Sequence, residues 1–132
     1  MKTITIYSDG GARGNPGPAA IGAVVADKSG AEIQYISKKI GETTNNQAEY
    51  QAIVAGLEKA REMGAEVVEC FLDSELVVKQ LNHEYKVKNK ELAPWFLKAH
   101  NLCAGFKKVS FTHVRRELNK EADRLVNEAL DG

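Results

Sequence analysis

Four carboxylates in this chain stand where a merely solvated acid has no need to be. Asp9 closes one apolar alternation, TITIYSD, and Asp73 closes another apolar run, VVECFLD. On a helical wheel Glu49 falls beside Ile53, and Asp123 falls near Leu130 and away from Lys120 and Arg124, so both lean toward whatever their helices cover. Each has a plain alternative. An aspartate after a strand caps the next helix, and a glutamate three residues beyond Asn46 completes a capping box. The combination of two strand ends and two helix margins is harder to set aside than any member. If the four converge, repulsion keeps some of them protonated at neutral pH unless cations lie between them. Oxygen donors with no His or Cys nearby suit Mg²⁺ or Mn²⁺ better than zinc. Two such ions, roughly 3.5 to 4 Å apart, would hold a phosphodiester for in-line attack by water.

The stretch after the first carboxylate, YSDGGARGNPG, has the glycine density of a phosphate-cradling loop. That chemistry requires a helix directly after the glycines, with its amino terminus aimed at the phosphates. The next residues in the chain, AAIGAVVAD, have a strand pattern instead, and GGxxG is not the dinucleotide order GxGxxG. A hairpin connection accounts for the glycines and leaves Asp9 unexplained.

The elements that must carry these residues are set by period. Thr3 to Tyr7 alternates as a half-buried strand ending at Asp9, Ala19 to Ala26 is a second strand, DKSG is a turn, and Glu32 to Ile40 alternates again. This predicts an antiparallel meander with the glycine segment as its first connection. Tyr50, Ile53, Val54 and Leu57 then recur at helical spacing between Asn46 and Met63, and Gly64 stops the run. Val67 to Leu72 reads as a strand buried on both faces. Ser74 to Asn82 is a short helix and HEYKVKNKE a basic connector. Pro94 falls in the first turn of a helix reaching about Ala104, where its missing N–H costs nothing. Lys108 to Val114 is the fifth strand. Asn119 caps a last helix with Ala122, Leu125, Val126, Ala129 and Leu130 on one face. The order implies an α/β fold, a mixed sheet covered by helices.

At 132 residues the chain fits a single domain, 1–132. Eighteen Lys and Arg balance eighteen Asp and Glu, so no global field draws it to a polyanion, and any nucleic-acid site must be built locally. No apolar run has the length of a signal peptide or a membrane span, which predicts a cytoplasmic protein without membrane attachment. Cys70 and Cys103 lack metal-ligand spacing and read as reduced packing thiols.

With these residues in view, the chain resembles type 1 ribonuclease H, which cleaves the RNA strand of RNA/DNA hybrids. SDGGARGNPG, TTNNQAEY, DSELVVKQL and NKEADRLVNEAL match that family in order and spacing over nearly the whole chain. The resemblance implies a ribonuclease H-like fold, a five-stranded mixed sheet in the order 3-2-1-4-5 flanked by helices. It implies that Asp9, Glu49, Asp73 and Asp123 are the catalytic, metal-binding carboxylates for two ions, Mg²⁺ or Mn²⁺. Asp9 would be shared, Glu49 and Asp73 would complete one site, and Asp123 would serve the other. The products would carry a 5′-phosphate and a 3′-hydroxyl. The implied partner is the hybrid duplex, with no required protein partner.

Reading a hybrid means finding the 2′-hydroxyl in a minor groove. By the resemblance, Gly10 and Gly11 let main-chain amides approach the ribose, Asn15, Asn45 and Asn46 touch base edges, and Arg13 meets a phosphate. Three features depart from the family pattern. Well-studied members carry a histidine between the fifth strand and the last helix, whereas this loop is RRELN. His113 lies within the strand and does not replace it. Arg116 or Glu117 would act instead, or turnover is slower or prefers another metal. Glu75 stands where some relatives have glutamine. The basic protrusion of some members is reduced to YKVKNKEL, in which Lys86, Lys88 and Lys90 are either a phosphate-gripping patch or a solvated connector. Two other readings stay open: a broader nuclease that also cuts double-stranded RNA, and a catalytically idle hybrid-binding module.

Overall fold

The computed structural model describes residues 1–132. Its strands are β1 (Thr3–Ala12), β2 (Gly17–Asp27), β3 (Ile33–Thr43), β4 (Val67–Leu72) and β5 (Lys108–His113). Its helices are α1 (Asn45–Glu62), α2 (Glu75–Leu81), α3 (Ala93–Cys103) and α4 (Lys120–Asp131), with a 3₁₀ turn at Arg116–Leu118. The sheet order is β3-β2-β1-β4-β5, antiparallel through β1 and β2 to β3, and parallel from β1 to β4 and β5. This is the mixed sheet that the order of periods implies. No helix is long and apolar enough to cross a membrane.

Strand alternation divides the sheet faces. On β1, Ile4, Ile6, Ser8 and Gly10 are buried against α1, while Asp9 and its cross-strand partner Gly22 face α4. The main core lies on the α1 side, where Ile4, Ile6, Val25, Val68, Cys70 and Leu72 meet Tyr50, Ile53 and Leu57 of α1 and Val77 of α2. The smaller interface is made by Ala122, Leu125 and Val126 of α4.

The first strand outruns its apolar pattern. Gly10, Gly11 and Ala12 pair with Ile21, Ala20 and Ala19, so the two glycines belong to the β1–β2 ladder, and the connection shrinks to Arg13–Pro16. Glycine is a poor strand former, but here close packing decides. A Cβ on Gly10 would lie 2.2 Å from the carbonyl carbon and oxygen of Ala48 in α1, and one on Gly22 would lie 2.4 Å from the carbonyl oxygen of Ala122 in α4. The helices that carry Glu49 and Asp123 are therefore each seated on a glycine.

The helix ends also differ from the sequence reading. Thr44, not Asn46, is the N-cap of α1, its Oγ1 accepting from the Gln47 N–H at 3.3 Å. Ser74, not Asp73, caps α2, accepting from the Val77 N–H at 3.3 Å. Both caps leave the neighbouring carboxylates free. The C-terminal stop at Gly64 is as expected, with φ +80° and its N–H donating to the Arg61 carbonyl.

One buried polar contact ties the two site-bearing segments together. The Tyr50 hydroxyl donates to Gln80 Oε1 at 2.7 Å, linking the residue after Glu49 to the helix that follows Asp73. Tyr50→Phe leaves the buried Gln80 acceptor without that donor and should cost about 1–3 kcal/mol, read from urea unfolding.

Candidate active site

β1 and β4 run parallel as far as the pair Ser8↔Leu72 and then part. Asp9 and Asp73 are the next residue on each, so the split presents Asp9 from within β1, which runs on to Ala12 beside β2 rather than ending at Asp9, and Asp73 just past the carboxyl end of β4, where open α/β sheets place ligands. Glu49 enters from the first turns of α1, buried with 6% of its surface exposed. Oxygens of Asp9, Glu49 and Asp73 all lie within 4.8 Å of one another. Asp123, from the first turn of α4, lines the same cavity of about 400 Å³ on the Asp9 side. The expected capping box is absent: Glu49 Oε1 accepts instead from the Gly10 N–H at 2.7 Å.

The other expected contact residues divide. Gly10, Gly11, Arg13, Asn45, Asn46 and Arg116 line the cavity; Asn15 and Glu117 do not. Asn15 supports the wall, its Oδ1 accepting from the Asn45 N–H at 3.0 Å, while Asn45 Oδ1 accepts from the Ala12 N–H at 2.8 Å. The Gly10 N–H is committed to Glu49, and the packing of α1 is by itself enough to demand glycine there. Gly11 is open, since a Cβ would meet only Val126, at 3.7 Å. Arg13 pairs with Asp131 at 2.6 Å, and Glu117 lies 3.9 Å from Arg115, both on the surface. Glu75 is drawn off to Lys79 at 3.2 Å. Lys86, Lys88 and Lys90 are exposed and form no ion pair.

Sequence reasoning missed one residue. Asn119 precedes α4 as a cap should, yet its side chain makes no capping bond. It is buried, and its amide donates to the Ser8 carbonyl at 2.9 Å and to Asp73 Oδ2 at 3.3 Å. Only its position before a helix marked it, and that signal pointed to a different bond.

Crowding governs the electrostatics. Burial, the largest influence, raises Asp9 from 3.8 to about 6; contact with Glu49 pulls it down, and the charges of Asp73 and Asp123 push it up. Glu49 is raised well above the usual carboxylate range, first by burial and then by the neighbouring Asp9 carboxylate. A group whose folded pKa is raised binds its proton more tightly when folded, so stability falls as pH rises. In chelator, the Asp9 contribution should fall by about 3 kcal/mol as pH rises from 3.8 toward and beyond 6, and Mg²⁺ should offset the loss. Urea unfolding from pH 4 to 7.5, with and without Mg²⁺, checks this.

The donor set fits a hard divalent cation. It consists of oxygens, no His or Cys lines the cavity, and Glu49 Oε2 is a buried atom without a hydrogen-bond partner. Asp9, Glu49 and Asp73 could hold one such ion, and Asp123 lines the same cavity.

Residues 7–129 match the family model described as "Reverse transcriptase-like". The chain is 42% identical to a bifunctional protein of Mycobacterium tuberculosis over 99% of its own length, and it spans about a third of that relative, 36%. It is 45% identical to ribonuclease HI of Halobacterium salinarum, over 97% of this chain and 64% of the relative. It is 34% identical to ribonuclease H of Clostridium botulinum, over 99% of this chain and 97% of the relative. Among solved structures, RNase H1 of Halobacterium salinarum superposes with a TM-score of 0.93 at 43% identity, covering 98% of each chain. LC11-RNase H1 in complex with an RNA/DNA hybrid superposes with a TM-score of 0.87 at 44% identity, covering 97% of this chain and 96% of its own.

Proposed function

This chain belongs to the type 1 ribonuclease H family, and from that premise we propose that residues 1–132 act as one catalytic domain hydrolysing the RNA strand of RNA/DNA hybrids. The observation that carries this reading is the meeting of Asp9, Glu49 and Asp73, from three separate elements, within 4.8 Å of one another. Uncompensated carboxylates would repel a phosphodiester. The cluster makes sense as a cation holder, and its oxygen-only donors select Mg²⁺ or Mn²⁺. Asp9, Glu49 and Asp73 would hold one cation, and Asp9 with Asp123 would hold a second. When bound, the cations acidify water and neutralise charge on the phosphoryl group.

The chain's own residues do the rest. Gly11 leaves its strand surface open to a ribose, and Asn45 and Asn46 offer neutral amides to a minor groove whose edges they touch without demanding sequence. Arg13 exchanges Asp131 for a phosphate; an exposed pair of this kind is weak, so little opposes the exchange. Arg116 is the member of the RRELN loop that reaches the cavity, and it stands nearest to the role of the family's loop histidine. Cleavage leaves a 5′-phosphate and a 3′-hydroxyl. The hybrid-bound LC11-RNase H1 structure supports the substrate class.

Labelled RNA/DNA hybrid, double-stranded RNA and double-stranded DNA, each incubated in Mg²⁺, Mn²⁺ or chelator, test the reading. Hybrid should be cut only with a cation, to 5′-phosphate ends, and DNA duplex not at all. Hybrid cleavage that persists in chelator would overturn the cation mechanism. Duplex RNA cut at a comparable rate would make the protein a broader nuclease. Hybrid binding without cleavage in either cation would make it a binding module.

A further inference from the structure

We propose that Asn119 is a positioning residue whose side-chain amide sets the orientation of Asp73 and its spacing from Asp9, and thereby the cation affinity of the site. The inference rests on the carboxylates being cation ligands.

Two ligands on diverging strands need something to hold the gap. β1 and β4 share no ladder pair beyond Ser8↔Leu72, and each carries its carboxylate on the next residue. One NH₂ group bridges that gap. Asn119 Nδ2 donates to the Ser8 carbonyl at 2.9 Å, on the residue before Asp9, and to Asp73 Oδ2 at 3.3 Å. The strand-side acceptor left over by the split is thus satisfied by a side chain from 111 residues away.

The residue doing this is itself held firmly. Asn119 is 1% exposed, its backbone N–H donates to the Arg116 carbonyl at 2.9 Å, and its carbonyl accepts the Asp123 N–H at 3.1 Å. It therefore connects β1, the residue after β4, the 3₁₀ turn and the start of the helix that carries Asp123. No element needs an asparagine at this place for its own sake, because the side chain caps nothing. Hydrogen bonds that orient a ligand of a metal are worth about 10- to 100-fold in affinity or activity when lost.

The test uses Mn²⁺ binding to the full chain by calorimetry, with hybrid cleavage alongside. Asn119→Ala and the near-isosteric Asn119→Asp should each weaken Mn²⁺ binding by about 10- to 100-fold and lower kcat by a similar factor, with KM for hybrid changed less than threefold. In an Asp73→Asn background, Asn119→Ala should add less than a twofold further change in Mn²⁺ affinity, because the route runs through Asp73. A measurement on the unaltered protein keeps the proposal testable if the variants fail to fold: the Asn119 side-chain NH₂ resonances should shift on titration with Mg²⁺. Wild-type protein that binds no Mn²⁺ would remove the cation-site reading itself. Wild-type binding with Asn119→Ala within twofold of it, or Asn119 resonances that ignore saturating Mg²⁺, would overturn the role of Asn119 and leave the site intact.

Discussion

Asp9→Asn should make the cation-free protein more stable and, at the same time, all but inactive. Burial, with the charges of Asp73 and Asp123 behind it and against the lowering contact with Glu49, lifts Asp9 from 3.8 to about 6. An amide of the same shape removes the charge and keeps the volume. Two pKa units correspond to about 3 kcal/mol, so urea unfolding in chelator at pH 7 should show a gain of that order. The gain should shrink toward pH 4, where wild-type Asp9 is largely protonated when folded. Catalysis should move the other way, because Asp9 is proposed as a ligand of both ions, and the charge that is costly without a cation would be the charge that holds them. Loss of several kcal/mol of transition-state stabilisation corresponds to at least about a thousandfold in kcat. A variant no more stable than wild type at pH 7 would mean the carboxylates do not strain one another. One retaining a tenth of the wild-type rate would remove Asp9 from the chemistry.

Gly10→Ala should be among the most damaging single-methyl changes in the chain. The added Cβ would lie 2.2 Å from the Ala48 carbonyl carbon and oxygen and 2.6 Å from the Glu49 nitrogen. These are backbone atoms in the first turns of a helix, so no rotamer change relieves the contact. α1 must move off β1, taking Glu49 with it and stretching the 2.7 Å bond from the Gly10 N–H. Overpacking of this kind costs roughly 3 kcal/mol. Hybrid cleavage should fall by about a hundredfold or more even in protein that remains folded, since small misplacements of a catalytic group carry that cost. Gly11→Ala is the control: its Cβ meets nothing closer than 3.7 Å, and stability should change by less than about 1 kcal/mol. Equal destabilisation by the two substitutions would show that α1 is not seated on Gly10.

The same pair of glycines shows how far the sequence could be read. GGARGNPG has the composition of a loop, and by local preference it is one. In the folded chain Gly10 and Gly11 lie inside a ladder, because β2 supplies partners and α1 leaves no room for a side chain at position 10. The capping residues misled for a related reason. TTNNQAE contains several good N-caps, and which one serves depends on where β3 ends; Thr43 closes that strand and leaves Thr44 as the cap.

By itself the sequence determined the strands and helices, their order along the chain and the places of the four carboxylates. These arise from periodicities of two and about 3.6 residues and from acids set at the ends or margins of those patterns, all local properties of the chain. Only the tertiary structure decided what each polar residue beside the carboxylates does. Glu49 bonds across 39 positions to Gly10, and Asn119 across 46 to Asp73 and 111 to Ser8. Bonds of that range form when β1 and β4 part at the edge of their shared ladder and leave polar groups that must find partners. No local pattern encodes that demand.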